Sequence, residues 1–476
     1  MDNRFDTKIQ FLKYSVLKEV AKKAWNNKLE EVIDIPQIIV PGKTPTMRCC
    51  VYKERAILGE RVKLAMGGDK SNPNIIEVID IACDDCPSGG YEVTDACRGC
   101  LAHRCMEACP RNAIYLDEKQ HAHIDKTKCV ECGLCSKSCP YSSIINHKRP
   151  CQSACKVGAI SMNEDKSAKV NNEKCISCGA CVYMCPFGAI SDKSYILEAI
   201  NLIKKSNKGK KYKVYAIVAP SIASQFDYAK LGQVVTGIEK IGFSAVLEVA
   251  LGADMTAKEE ATEFTHKEFM TTSCCPAFVK YIKTQFPEMA QDISTTLSPM
   301  AILGRYLKQQ DPTCKVVFIG PCTAKKLECK QEAVKDFVDT VLTFEELQAL
   351  IDSLDIDLVS LEETKLEGAS YFGRIFAGSG GVTKAVTQAI QEFGINAEFN
   401  PVVADGIQNC KTALLKAKNK CLGGNFIEGM ACEGGCINGA GCLKHGVKNK
   451  MSVEKYGNEA NIKEIKKSLD QLDGDK

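Results

Sequence analysis

The sequence lacks a long hydrophobic run, an excess of either charge, and an N-terminal secretory signal. No stretch of about 18 apolar residues occurs, so no transmembrane helix is expected. The chain carries 62 basic and 59 acidic residues, and this balance favours neither nucleic acid nor an anionic membrane as a partner. The N-terminus, Met-Asp-Asn-Arg-Phe-Asp, contains acidic residues and no apolar core. We therefore expect a cytoplasmic protein.

Cysteine is the residue type present in excess, with 28 in 476 residues. In a small secreted chain this count would indicate disulfides, whereas in a large chain with C-x2-C spacing it indicates bound metal. Iron–sulfur clusters need reduced thiolates, which fits a reducing cytoplasm such as that of an anaerobe. At this length we also expect two or three domains.

Two cysteine runs follow the bacterial ferredoxin pattern C-x2-C-x2-C-x3-C-P. In this pattern three thiolates of a tight loop bind one 4Fe–4S cluster and the fourth reaches a different cluster. A Gly-Ala-Ile sequence follows both Cys155 and Cys185 at the same spacing, as an internal repeat requires. The two runs are Cys129, Cys132, Cys135, Cys139 with Pro140, and Cys175, Cys178, Cys181, Cys185 with Pro186.

The pairing of the cysteines from 83 to 185 has more than one solution, and two to four accessory 4Fe–4S clusters are predicted. We favour a crossed pairing in which one cluster takes Cys97, Cys100, Cys105 and Cys139, and another takes Cys109, Cys129, Cys132 and Cys135. A further cluster takes Cys175, Cys178 and Cys181 with Cys155 or a neighbour.

Metal binding is also expected at Cys83, Cys86, Cys151 and Cys185. The alternative for Cys83, Cys86, Cys97 and Cys100 is a zinc site, because paired C-x2-C units also suit tetrahedral zinc. We expect the adjacent Cys49 and Cys50 to be structural or accessory, since neighbouring residues rarely ligate one cluster together.

Periodicity and composition divide the chain into five regions. An amphipathic helix is predicted from Ile9 to Trp25 and an extended segment from Ile35 to Pro41. Buried strands are predicted at 213–220 and 315–320 and helices at 298–309 and 382–393, which together indicate an α/β domain. The regions are 1–80 (helical and extended), 81–195 (ferredoxin-like, α+β), 196–211 (helix and basic linker), 212–446 (α/β domain) and 447–476 (tail or terminal helix).

Three separated turns of the α/β domain carry cysteine, and together they indicate one metal site gathered from distant segments. Cys432 and Cys436 are spaced for one face of a helix, yet glycines lie between and after them, which suits a turn close to something bulky. Cys322 follows a predicted strand, where ligands collect in open α/β sheets. The turns are Thr272-Ser-Cys-Cys-Pro276, Gly320-Pro-Cys-Thr-Ala-Lys-Lys-Leu-Glu328 and Glu428-Gly-Met-Ala-Cys-Glu-Gly-Gly-Cys-Ile-Asn-Gly-Ala-Gly-Cys442.

These turns resemble the three signature motifs of the iron–iron (FeFe) hydrogenases, TSCCPxW, MPCxxKxxE and ExMACxxGCxxGGG, in the same order. The resemblance covers roughly residues 211–445 and implies a catalytic domain of two lobes, each with a twisted sheet, around a buried H-cluster. Phe278, Gly320, Ala440 and Cys442 depart from the family forms. Such departures look like the group B branch of the family.

The resemblance implies a role for each matched residue. It assigns Cys275, Cys322, Cys432 and Cys436 to a 4Fe–4S cubane, and it has Cys436 bridge to a two-iron subcluster carrying CO, cyanide and a dithiolate. Lys325 matches the ammonium that pairs with one cyanide, although the residues alone also allow a surface lysine. The positions of Ala219, Pro220 and Ser221 match a segment at the other cyanide. Apolar walls, or ordinary core, are expected at Phe376 and Met430.

The proton route implied by the resemblance runs through Cys274, Glu260, Ser294 and Glu263. Glu260 and Glu263 are three apart and share one helix face, which without the family would be a solvated charged face. Lys267 stands where the family tends to have arginine.

Three functions compete. The first is an enzyme that interconverts protons and H2, with electrons passing through 4Fe–4S clusters to or from a ferredoxin or similar low-potential carrier, and with maturation factors supplying the two-iron subcluster. The others are a hydrogenase-like scaffold for iron–sulfur assembly and a hydrogen sensor. Cys274, Lys325 and the Glu260–Glu263 pair favour the enzyme over the scaffold, and no added sensory segment is recognised.

Overall fold

The N-terminal region of the computed structural model, which describes residues 3–87 and 89–474, is helical. Its helices are α1 (Lys8–Trp25), α2 (Ile35–Ile39) and α3 (Val51–Ala65). The predicted amphipathic helix is confirmed, and it begins with a capping box between Thr7 and Gln10. The predicted extended segment is wrong, because Ile35–Ile39 is helical. Pro36 lies in the first turn of α2, where its missing N–H costs no hydrogen bond.

Two small α+β units follow, and one is inserted in the other. In the inserted unit β2 pairs with β5 and β3 with β4, whereas β1 pairs with β8 and β6 with β7 in the surrounding unit, all antiparallel. The elements are β1 (Ile76–Val78), β2 (Tyr91–Val93), α4 (Arg104–Glu107), β3 (Ile114–Leu116), β4 (Ala122–Ile124), α5 (Leu134–Ser138), β5 (Ile144–Asn146), α6 (Pro150–Ala154), β6 (Ile160–Met162), β7 (Ala168–Val170), α7 (Ala180–Met184) and β8 (Ile190–Asp192).

The segment predicted as a helix and basic linker contains helix α8 (Ile196–Ser206). Ile196, Ile200 and Ile203 recur at helical spacing and are buried in the largest hydrophobic core of the chain. The helix is therefore packed against the α/β domain, and the lysines that follow it remain on the surface.

The α/β domain contains two parallel sheets. One has the strand order β10-β9-β12-β13 and the other has the order β11-β15-β14. The elements are β9 (Val214–Val218), α9 (Leu231–Ile241), β10 (Ala245–Glu248), α10 (Ala250–Phe264), β11 (Met270–Thr271), α11 (Pro276–Gln285), α12 (Pro299–Gln310), β12 (Lys315–Gly320), α13 (Ala324–Glu328), β13 (Thr340–Thr343), α14 (Phe344–Ser353), α15 (Tyr371–Ile375), α16 (Gly381–Glu392), β14 (Pro401–Asp405), α17 (Ile407–Lys418) and β15 (Phe426–Met430).

The last residues of the chain are two docked helices, α18 (Lys448–Asn458) and α19 (Ile465–Gly474). Val453, Tyr456 and Ile465 are buried. The prediction of a mobile tail is therefore wrong, and the alternative prediction of a terminal helix is confirmed. In the part of the chain that the structure describes, no helix is both long enough and apolar enough to span a membrane.

Candidate metal centre and proton path

Four cysteines of the α/β domain meet where strands of both sheets end. Cys275 follows β11 and caps helix α11, Cys322 lies just after β12, and Cys432 and Cys436 follow β15. Burial raises the pKa of Cys322 to about 11, and the charge of Cys275 contributes to this shift. The pKa values of Cys432 and Cys436 are raised in the same way, by burial and then by the neighbouring thiolates. The structure therefore brings these four thiols together, and bound metal would stabilise them as thiolates.

The glycines of the third turn are needed for a close backbone approach. Gly435 has a φ of 95°, and a Cβ there would lie 2.7 Å from both the carbonyl oxygen of Ala377 and the amide nitrogen of Ser379. The N–H of Gly434 donates to the Asp405 carboxylate at 2.8 Å. This loop fixes the position of Cys436, and a side chain at position 435 would displace it.

Two of the departures from the family motifs are compensated by packing. Phe278 is fully buried against Gly429, where an added Cβ would lie only 2.0 Å from the Phe278 ring. Cys442 is also fully buried, and its thiol donates to the carbonyl oxygen of Ile437 at 3.4 Å. Both residues therefore belong to the core that supports the site.

Lys325 is a buried ammonium next to the four cysteines. The residue is 8% exposed, so the alternative of a surface lysine is wrong. Its Nζ lies 2.6 Å from the Glu328 carboxylate and donates to the carbonyl oxygen of Cys274 at 3.2 Å. Burial lowers the pKa of Lys325, but the charges of Glu328, Cys322 and Cys274 and the hydrogen bond to Glu328 together outweigh burial, so the pKa is raised overall. The side chain is therefore positively charged at neutral pH.

The segment after β9 provides a second polar contact point. Ala219, Pro220 and Ser221 are all buried. Among the described residues, the Ser221 hydroxyl has no hydrogen-bond partner, a state that costs about 1–3 kcal/mol unless a ligand accepts from it. Phe376 and Met430 lie in one apolar cluster, and Cys274 and Cys436 pack against it. Four thiols, a buried cation, an unpaired hydroxyl and an apolar wall fit an anionic iron–sulfur cofactor.

Helix α10 carries two carboxylates with opposite pKa shifts. Burial raises the pKa of Glu260 to about 8, and among the described residues neither of its carboxylate oxygens has a hydrogen-bond partner. Glu263 is less buried, and Lys267, the Thr295 N–H and the Ser294 hydroxyl together outweigh burial and lower its pKa to about 2. At neutral pH Glu260 therefore holds a proton and Glu263 does not.

The four residues of the predicted proton path are neighbours. The Ser294 hydroxyl donates to Glu263 at 2.7 Å and also influences the pKa of Glu260. The pKa of Cys274 is raised well above its usual value, by burial and then by the charge of Glu260. Lys267 pairs with Glu263 at 2.8 Å, so lysine supplies the charge at this end of the path.

The inserted α+β unit brings together the two cysteine sets of the crossed pairing. One small cavity is lined by Cys97, Cys100, Cys105 and Cys139, and a second by Cys109, Cys129, Cys132 and Cys135. The last cysteine of each run accepts a hydrogen bond from the backbone N–H four residues later. These bonds measure 3.2–3.4 Å at Cys109, Cys139, Cys155 and Cys185.

The surrounding unit holds the remaining eight cysteines. Cys155 lies with Cys175, Cys178 and Cys181, because the charges of Cys155 and Cys175 add to burial in raising the pKa values of Cys178 and Cys181, and the charge of Cys275 also raises the pKa of Cys178. The pKa values of Cys83 and Cys86 are raised by burial and, among the cysteines outside their own pair, by the charge of Cys185. A zinc site made of Cys83, Cys86, Cys97 and Cys100 is therefore wrong, because the two pairs lie in different units.

A single metal ion does not match the local geometry. Among the described residues, no three Cys, His, Asp or Glu side chains converge on one ion. Cys50 caps helix α3 by accepting from the Lys53 N–H, which is a structural role. Cys49 is exposed.

Lys326 is a supporting residue that sequence reasoning missed. It is fully buried and pairs with Asp192 and Glu346, each at 2.9 Å. It therefore ties the second turn to the end of β8. Nothing in the sequence distinguishes it from the exposed lysines that commonly lie on short helices.

Comparison with known proteins gives consistent matches. Residues 212–440 match the C-terminal domain of the iron-only hydrogenase large subunit. Residues 96–143 match a 4Fe–4S dicluster domain and residues 168–191 a 4Fe–4S binding domain. The chain is 29% identical to iron hydrogenase 1 of Clostridium pasteurianum over 69% of its own length and 66% of that protein. It is 31% identical to the large subunit of the periplasmic [Fe] hydrogenase from Nitratidesulfovibrio vulgaris, over 68% of its length and 87% of that protein.

Two further similarities are weaker. The chain is 29% identical to the cytosolic iron-sulfur assembly component 3 of Rattus norvegicus, over 43% of its length and 56% of that protein. A variant of the [FeFe]-hydrogenase HydA1 from Chlamydomonas reinhardtii aligns with a TM-score of 0.48 and 20% identity, over 59% of this chain and 93% of that one.

Proposed function

The chain belongs to the family of iron-only hydrogenase large subunits, and we propose that it interconverts protons and H2 at an H-cluster. The observation that carries this proposal is the surroundings of Cys274. This thiol is not among the four clustered cysteines, yet the charged Lys325 donates to the backbone carbonyl of the same residue, and both Lys325 and Glu260 influence the pKa of the thiol. A site that only stored a cubane would need neither a free thiol nor a proton-holding carboxyl beside it.

The residues that would hold the cofactor are those of the three turns. Cys275, Cys322, Cys432 and Cys436 would ligate the cubane, and Lys325 and Ser221 would donate to anionic ligands of a two-iron subcluster. That subcluster, with its CO, cyanide and bridging dithiolate, supplies the H2-cleaving chemistry that no amino-acid side chain provides. Ala219, Pro220, Phe376 and Met430 would exclude water around it.

Proton transfer is assigned to side chains of this chain. Cys274 holds a proton at its Sγ at neutral pH, because burial and Glu260 raise its pKa. Glu260 holds the next proton inside, and nearer the surface the Ser294 hydroxyl donates to Glu263. A relay requires each partner to lie within hydrogen-bond reach of the next or one water away, and the hydrogen bond from Ser294 to Glu263 supplies one such step.

Electrons would travel through the accessory 4Fe–4S clusters. The set of Cys155, Cys175, Cys178 and Cys181 adjoins Cys275, and the two sets of the inserted unit would lie farther along the route. A ferredoxin or similar low-potential carrier would exchange electrons at the outer clusters, in the cytoplasm of an anaerobe, and maturation factors would insert the two-iron subcluster.

A second candidate function is a scaffold in iron–sulfur assembly. The similarity to an assembly component over 43% of the chain favours it. Such a scaffold would bind the cubane and no two-iron subcluster. H2 evolution by the maturated protein, and its loss in Cys274→Ala, separates the two functions.

A further inference from the structure

Cys83, Cys86 and Cys151 lie outside both matched 4Fe–4S regions. The structure nevertheless brings all three together with Cys185. Cys83, Cys151 and Cys185 are buried in one hydrophobic cluster, and the Cys86 N–H donates to the carbonyl oxygen of Cys83 at 3.2 Å. The three stretches that supply these cysteines are therefore neighbours in space, although residues 87–150 separate the first two along the chain.

The topology explains why this set is split. The inserted unit and the surrounding unit have the same order of elements, with a strand, a helix and two strands followed by a helix and a final strand. In the inserted unit each cysteine set takes three members from one loop and one from the other half. In the surrounding unit Cys175, Cys178 and Cys181 with Cys155 repeat this rule.

Applied to the surrounding unit, the same rule predicts a second cysteine set. This set should consist of Cys185 and three cysteines from the first loop of the unit. That loop contains Cys83 and Cys86, is interrupted by the inserted unit, and resumes at Cys151. Cys83, Cys86 and Cys151 therefore supply the three cysteines that the rule requires, although the inserted unit separates them along the chain.

Two buried arginines indicate that this set holds something anionic. Arg149 is 2% exposed, its Nε donates to the carbonyl oxygen of Pro87 at 2.9 Å, and its Nη1 has no partner among the described residues. The guanidinium therefore contacts the backbone next to Cys86, and Arg149 itself stands two residues before Cys151. Arg61 is 5% exposed and donates to the carbonyl oxygen of Gly188, three residues after Cys185, at 2.8 Å.

Neither arginine has a carboxylate partner within the described ranges, 3–87 and 89–474. A buried guanidinium without an anion is costly. A 4Fe–4S cubane with four thiolate ligands carries net negative charge and would supply that anion.

We propose that Cys83, Cys86, Cys151 and Cys185 hold a fourth accessory 4Fe–4S cluster, ligated from both sides of the inserted unit. The cluster lies where the inserted unit joins the rest of the chain, and Cys181 of the next set is buried in the same hydrophobic cluster as Cys151. The role of this cluster, which rests on the proposed function, is to pass one electron at a time between the inserted unit and the cluster beside the hydrogen site. In each step one cluster is oxidised and the next is reduced, and no bond forms or breaks.

Iron analysis of protein made without maturation factors tests the site. Four accessory clusters and the main cubane predict about 20 iron atoms per chain after reconstitution. The double variant Cys83→Ala/Cys86→Ala should lose about four iron atoms and one cubane signal in the reduced electron paramagnetic resonance spectrum. Cys49→Ala, in an exposed cysteine, should lose none. Unchanged iron in the double variant, or loss of zinc instead, would overturn the site, and this result does not depend on H2 activity.

A variant that keeps all the cysteines guards against misfolding. Arg149→Gln should bind the same iron but shift the reduction potential of one cluster to a more negative value, because a positive charge beside it is lost. Lys148→Gln, in the exposed neighbour, should shift none. A titration with no shifted cluster in Arg149→Gln would contradict the placement. In the maturated double variant, H2 turnover driven by a reduced carrier protein should fall at least about tenfold, and unchanged turnover would overturn the relay role.

Discussion

The ammonium of Lys325 donates to the backbone carbonyl of Cys274 over 3.2 Å, which joins the second cysteine turn to the first. Glu328 keeps this ammonium charged from 2.6 Å away. The buried cation thus contacts the residue assigned to proton transfer, and its charge also influences Cys322 and Cys436, two of the cysteines assigned to the cubane. Its charge is what an anionic ligand of the cofactor would meet.

Lys325→Ala should lose the two-iron subcluster and keep the cubane iron. A buried charge that loses its partner is destabilised by about 3–5 kcal/mol, and the same logic applies to an anionic cofactor ligand. The measurement is iron content with infrared spectroscopy of the maturated variant. Lys330→Ala removes an exposed lysine just after the same helix and should change neither. Wild-type H2 activity in Lys325→Ala would return this residue to a purely structural role.

Cys274→Ala and Cys275→Ala should fail in different ways. Cys274→Ala keeps the cofactor bands in the infrared but loses nearly all turnover, because alanine offers no proton. Cys275→Ala loses a ligand, so its cubane iron and the bands fall together. Cys274→Asp retains some turnover, since a carboxyl also relays protons. If Cys274→Ala turned over at the wild-type rate, the path through Glu260 and Glu263 would have to be abandoned.

Glu260→Gln should slow turnover by about 10²–10⁴-fold, the usual contribution of a positioned acid or base. The amide keeps the shape of the side chain but accepts and releases no proton. Glu259→Gln is the matched control, because Glu259 is the preceding residue on the same helix and is partly exposed beside Arg305. Equal rates in the two variants would remove Glu260 from the path.

The same residue should make stability depend on pH. The pKa of Glu260 is raised from 4.5 to about 8 by burial, so between these values the folded state binds more protons than the unfolded state. The free energy of unfolding therefore falls as pH rises through this window, by an amount on the order of a few kcal/mol. Thermal melts should show that the stability of Glu260→Gln relative to the wild type increases as the pH rises from about 5 to about 8, because only the wild type has this carboxyl to ionise. A stability difference between variant and wild type that is the same at both ends of this pH range would contradict the protonation state assigned to Glu260.

The parts of the fold that the sequence predicted are those with strong local signals. An unbroken apolar run follows Lys315 and ends at Gly320 in the second cysteine turn, and the structure has β12 over Lys315–Gly320. The crossed cysteine sets of the inserted unit followed from the ferredoxin spacing alone. The group B assignment stays a prediction.

The errors arose where distant packing decides the outcome. Ile465 and Leu469 are buried in a helix whose composition is polar, so the chain after 446 resembled a mobile tail. Cys83 and Cys86 are close to Cys97 along the chain. They nevertheless lie near Cys151 and Cys185 in space, because the unit that contains Cys97 is inserted after them. The pKa of Cys274 and the burial of Lys326 also depend on segments that are remote in sequence.

Infrared spectroscopy of the maturated protein, measured alongside H2 evolution, tests the central claim most directly. An H-cluster gives CO and cyanide stretching bands that no amino-acid side chain produces. We expect these bands in the wild type together with turnover, and the same bands without turnover in Cys274→Ala. A fully iron-loaded protein that shows neither the bands nor any H2 after maturation would contradict the account and leave a cubane scaffold in its place.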